Sequence, residues 1–106
     1  PAGRAGGPGD LRDADLVVNA TPLGLAGRGA AGLPLAPELL HAGQLVVDLV
    51  PNPAVTALMR AARDRGARAA GGMGMLVHQG ALAFAQWTGR PAPVEVMRAA
   101  AERALR

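Results

Sequence analysis

The sequence predicts an α/β fold built on a parallel sheet. Three observations carry this. Short strand-like runs close near Asn19, Leu49 and Ala70, the first two rich in Val and Leu, helix-spaced apolar stripes lie between and after them, and no tight hairpin turn joins one run to the next. Strands linked through crossovers pair in parallel, and such crossovers are almost always right-handed. Three strands alone leave unpaired edges, so the pattern is expected to be part of a larger sheet, incomplete as an isolated chain.

Taken in order, the opening Pro1-Ala2-Gly3-Arg4-Ala5-Gly6-Gly7-Pro8-Gly9 has neither apolar periodicity nor a signal-peptide core. Residues 1–14 are read as a Gly/Pro-rich truncation point, with one helical turn at Asp10 to Ala14. Asp15-Leu16-Val17-Val18-Asn19 reads as a buried first strand, its β-branched pair favouring strand over helix. From Ala20 to Gly43 the chain is rich in Gly, Ala, Pro and Leu, with a helical turn at Pro37-Glu38-Leu39-Leu40; a connection this long is usually functional or mobile. Gln44 to Leu49 is the second strand, nearly all apolar as when both sheet faces are covered, and Pro51-Asn52-Pro53 ends it.

A helix is predicted from about Thr56 to Arg65, with Val55, Leu58, Met59 and Ala62 as its apolar stripe and Gly66 closing it. Ala67-Arg68-Ala69-Ala70 is a short third strand, and Gly71-Gly72-Met73-Gly74 the following turn. Met75 to Thr88 runs as a helix with Leu76, Ala83 and Trp87 on one side, stopped by Gly89-Arg90-Pro91. Val94, Met97, Ala101 and Leu105 make one face of a last helix. Residues 15–89 thus form one body, and the helix within 90–106 is expected to pack on it.

Composition excludes several functions. The 106 residues are enough for one small domain, and half are apolar. There is no cysteine, so disulfides and thiolate metal sites are out, which fits a reducing, cytoplasmic setting; His41 and His78 lie too far apart in sequence to suggest a metal site. Every apolar run is broken by Gly, Pro or a charge well before the ~20 residues a bilayer requires, so no membrane partner is expected. The net charge of +3 comes from eleven arginines. Arg60, Arg63, Arg65 and Arg68 are interleaved with Asp64 as on a solvated helix face, and Phe84 and Trp87 are the only aromatics, so bases would find no stacking platform and nucleic acid is not an expected partner.

In a parallel sheet the strand ends gather along one edge, where ligands of open α/β sheets bind. Here those ends are Asn19-Ala20-Thr21-Pro22-Leu23-Gly24, Asp48-Leu49-Val50-Pro51-Asn52-Pro53 and Gly71-Gly72-Met73-Gly74. Their small side chains and exposed amides would admit a ligand close to the backbone. The same residue types are also ordinary turn formers. Gly71 to Gly74 fits either a helix N-terminus facing an anion or amide, or close strand-to-helix packing. Gln79 offers an amide that both donates and accepts, as recognition of a polyhydroxylated molecule requires, although its residue type alone favours the wet face of the helix. Phe84 and Trp87 are read as core anchors, Met73 and Met75 as gap fillers or contacts to a flat ring.

The first two of those segments, together with Gly72-Met73-Gly74-Met75-Leu76-Val77-His78-Gln79-Gly80-Ala81, resemble the shikimate dehydrogenase family in order and spacing, from about residue 13 onward. The last motif, continuing to Phe84, Trp87, Thr88 and Gly89, is the most specific. The resemblance implies the second half of a Rossmann-like NADP-binding domain, in an oxidoreductase of aromatic amino-acid biosynthesis. Enzymes of this family reduce 3-dehydroshikimate to shikimate with NADPH, in a cleft between that domain and an N-terminal substrate domain. It assigns Asn19, Ala20, Thr21, Leu49 and Gly72 to the cofactor and Gln79 to the substrate. No catalytic residue is assigned, because the family's catalytic Lys and Asp belong to the N-terminal domain and this chain contains no Lys; nor does a glycine-rich phosphate loop precede Asp15. Pro51 departs from the pattern, standing where the family usually has a tyrosine that contacts substrate. The isolated chain is therefore expected to be inactive. Two alternatives remain open here, a non-catalytic nucleotide- or protein-binding remnant and a quinate/shikimate-type paralogue.

Overall fold

In a computed structural model describing residues 3–25 and 32–105, the three expected strands do pair in parallel. Strand β1 (Leu16–Asn19) lies beside β2 (Leu45–Asp48), which lies beside β3 (Arg68–Ala70). The register sets Val17 against Val46 and Asn19 against Asp48, then Val46 against Ala69. Three α-helices accompany them: α1 (Ala57–Asp64), α2 (Met73–Thr88) and α3 (Val94–Ala104), with 3₁₀ turns at Pro8–Asp13 and Pro37–Leu39. Residues 1–2 of the opening run and 26–31 of the long connection lie outside the described residues.

The core forms on one face of the sheet. Val17 and Val46 point into it and meet Leu40 from the connection, Leu58 and Ala62 from α1, and Ala67. Leu11, Leu33 and Leu35 close its rim. Gln44, fully buried, joins this edge to the rest: its Nε2 donates to the Leu11 carbonyl at 2.8 Å and its Oε1 accepts from the His41 N–H at 3.0 Å. The His41 ring bonds the Arg12 carbonyl at 2.7 Å. The connection before β2 is thereby stitched to the turn before β1.

Helix α1 starts where its cap directs, for the Thr56 side chain accepts from the Met59 N–H. It ends at Gly66, whose φ of +85° suits a residue without a Cβ. Helix α2 lies mainly against α3, with the Met97 methyl close over Gly80, and its buried residues are Val77 and Ala81. The molecule is correspondingly extended: its radius of gyration is 15.6 Å, against about 13 Å for a compact chain of this length.

Four expectations are corrected. The opposite sheet face is not covered at β1, where Leu16 and Val18 are exposed, because α1 and the 3₁₀ turns all pack on the other side. Val55 is exposed, since it precedes the cap of α1 and lies off the helix. Helix α2 begins at Met73, so Gly74 is helical rather than part of a turn. Trp87 is 83% exposed and Phe84 half-buried, because α2 packs on α3 and neither residue reaches the core on the sheet. The last helix packs on α2, within residues 15–89.

Candidate functional site

Both strand ends that bound the cleft are polar. Asn19 and Asp48, neighbours in register, turn into the same buried layer and bond through Asn19 Nδ2 and Asp48 Oδ1 at 3.0 Å. Buried polar groups must be paired, and these are. Asn19 Oδ1 accepts from the Thr21 N–H at 3.0 Å and from the Thr21 hydroxyl at 2.6 Å, while Nδ2 also donates to the Leu23 carbonyl. Asp48 Oδ1 accepts in addition from the Val50 N–H at 3.1 Å, and Oδ2 from the Thr56 hydroxyl at 2.7 Å. Among the described residues no buried side-chain nitrogen or oxygen lacks a partner.

Beyond this polar floor lies an open cleft of about 380 Å³. Ala20, Thr21, Pro22 and Leu25 form one wall, Leu49, Val50 and Pro51 the other, and Met75 from the first turn of α2 reaches in from the side. The lining is apolar apart from Thr21. It suits the face of a flat ring more than a charged group.

The six residues singled out from the sequence fall in different places. Ala20, Thr21 and Leu49 line the cleft. Asn19 is buried beneath it with both donors and both acceptor positions of its amide engaged, so its side chain serves the wall. Gly72 is buried behind the Leu49 wall, and a Cβ at this position would collide with the Leu49 carbonyl and the Val50 backbone. Of the two readings of Gly71 to Gly74, this contact is the close-packing one. Gln79 is exposed, one turn beyond Met75, with its Nε2 donating to the Leu76 carbonyl at 3.3 Å.

Thr56 and Asp48 were not singled out, although they complete the floor. The available signal was positional: a carboxylate and an amide each end a buried strand, with a helix-capping threonine eight residues after the carboxylate. Three arginines around α1 donate to carbonyls of the fold, Arg60 to Val55, Arg63 to Ala69, and Arg65 to Leu40 and Glu38. No helix among the described residues is long and apolar enough to cross a membrane.

Residues 72–102 match the model of the shikimate 5'-dehydrogenase C-terminal domain. Across 92 residues the chain is 53% identical to the shikimate dehydrogenase (NADP(+)) of Archaeoglobus fulgidus, a match covering 87% of this chain and 34% of that protein. The chain matches the C-terminal part of shikimate dehydrogenases. Its fold agrees with the shikimate 5-dehydrogenase of Thermus thermophilus, solved with NADP(H) and shikimate, at a TM-score of 0.86 and 41% identity over 96% of this chain and 38% of that one. The quinate dehydrogenase of Corynebacterium glutamicum, solved with NAD, is also similar, with a TM-score of 0.76 and 36% identity over 87% of this chain and 32% of that one. The chain spans about a third of the length of the curated relatives it matches.

Proposed function

We propose that this chain forms the nicotinamide-side half of the NADP-binding domain of a dehydrogenase that interconverts 3-dehydroshikimate and shikimate. The observation that carries this is the cleft at the ends of β1 and β2, in a chain that matches the C-terminal part of shikimate dehydrogenases. Its apolar walls at Ala20, Leu49 and Val50 and the single hydroxyl of Thr21 fit a nicotinamide ring lying between two backbone segments. When bound, the cofactor supplies the hydride. The residues of this chain orient the ring, keep water from one of its faces and, through Gln79, present an amide toward the substrate side. Ionisable groups for the proton relay would come from a substrate domain contributed by other residues, since Lys is absent here. The exposed Leu16, Val18, Leu82, Trp87 and Val96 are the surfaces such neighbouring structure would cover.

Grafting tests the proposal. The matching C-terminal third of the Archaeoglobus fulgidus relative is replaced by this chain, and NADP⁺ reduction is followed with shikimate. The graft is expected to turn over while the chain alone does not. A folded graft that binds NADP⁺ without oxidising shikimate overturns the assignment.

Pro51 favours a second reading. On the cleft wall it supplies no hydroxyl where the family usually presents a tyrosine, which weakens one polar contact to shikimate. Quinate with NAD, the pairing suggested by the Corynebacterium relative, is therefore assayed on the same graft. Preference for it identifies a quinate-type paralogue.

A further inference from the structure

The polar floor joins more than the two cleft walls. Asp48 is 1% exposed and Thr56 is fully buried, and neither lines the cleft. The Asp48 carboxylate accepts three bonds, from Asn19, from the Val50 N–H and from the Thr56 hydroxyl. The Thr56 hydroxyl in turn accepts from the Met59 N–H at 3.2 Å, so the residue that caps α1 also holds the end of β2. Asn19 passes the constraint to the opposite wall by receiving the Thr21 N–H and hydroxyl. One carboxylate thus fixes the wall carrying Thr21, the wall carrying Val50 and the first turn of α1. In a buried network of this kind no member shifts alone, because withdrawing one leaves another unpaired away from water.

We propose that Asp48 and Thr56 are positioning residues, which set the separation of the 20–22 and 49–51 walls and thereby the grip of the cleft on a flat ring between them. The ring's identity as nicotinamide rests on the function proposed above, whereas the spacing role does not. Two measurements separate them.

Backbone amide exchange on the chain reads the spacing role directly, comparing Thr56→Val, which keeps the shape and loses the hydroxyl, with Thr56→Ser, which keeps the hydroxyl. Thr56→Val is expected to speed exchange at Thr21 and Val50 by about tenfold or more, as loss of a bond to a buried charged group implies. Val46 in the central strand should change much less, and Thr56→Ser should restore the original rates. Unchanged rates at Thr21 and Val50, or an equal rise at Val46 in a chain that retains its circular dichroism, overturn the proposal. If Thr56→Val does not fold, Asp48→Asn is read by the same criteria, since its amide cannot accept all three bonds.

In the graft, Thr56→Val should raise KM for NADP⁺ by about tenfold or more and leave the Kd of 2′,5′-ADP, which lacks the ring, unchanged. An equal loss for both ligands marks Thr56 as merely structural and overturns the positioning role. An inactive unmutated graft counts against the proposed function instead, and amide exchange then decides the positioning role alone.

Discussion

Gly72 and Gly74 differ sharply despite being two residues apart in one motif. A Cβ at 72 would meet the Leu49 carbonyl and Val50 backbone, whereas one at 74 would meet nothing within 4 Å. The backbone at Gly72, with φ −88° and ψ −3°, is open to any residue, so the demand for glycine is steric. Gly72→Ala is expected to push back the Leu49 wall and lower stability by about 1–3 kcal/mol, measured by thermal melting. Gly74→Ala, the control, should be neutral or slightly stabilising. The sequence marked Gly72 as important, but nothing local distinguished it from Gly74. The same holds for Asp48 and Thr56, whose partners are 29 and 8 residues away and are brought together only by strand register and a helix cap.

Elements were more legible than contacts. β1 and β2 were visible because runs of Leu and Val with abrupt polar ends have few other structural solutions, and α1 because Thr56 and Gly66 carry explicit start and stop chemistry. The start of α2 carries no such signal: Gly72 offers no side-chain cap and takes a helical conformation itself, so Met73 and Gly74 read as turn. Within α2, Gly80 faces the Met97 methyl, where a Cβ would approach it to 3.2 Å. That methyl is the tip of a flexible side chain. Gly80→Ala is therefore expected to stabilise by up to about 1 kcal/mol through helix propensity, seen as a raised Tm. A fall would show that Met97 has no room to move and that the α2–α3 contact is rigidly packed.

At the scale of the molecule, sequence reasoning overstated how much the chain buries of itself. Trp87 and Val18 are residue types that belong in cores, and periodicity cannot tell whether the covering surface lies in the same chain. Here they are exposed, on a helix and a sheet face that project from the single core. Trp87, the one tryptophan, reports on this. Its fluorescence in the isolated chain should resemble that of a solvated indole, and shift to shorter wavelength when the chain is mixed with the N-terminal two thirds of the Archaeoglobus relative. An unchanged spectrum despite demonstrated association would place the contact elsewhere, away from the end of α2.

The clamp beneath the cleft also bears on the entropy given up as the molecule assembles. Joining Thr56 to Asp48 closes a segment of 8 residues, and joining Asn19 to Asp48 one of 29. Because the entropy of closure grows with the logarithm of length, the longer closure is dearer by about 1.1 kcal/mol. The β2–α1 side therefore closes at the lower entropic cost, and the wall carrying Thr21 is the costlier half of the cleft to close.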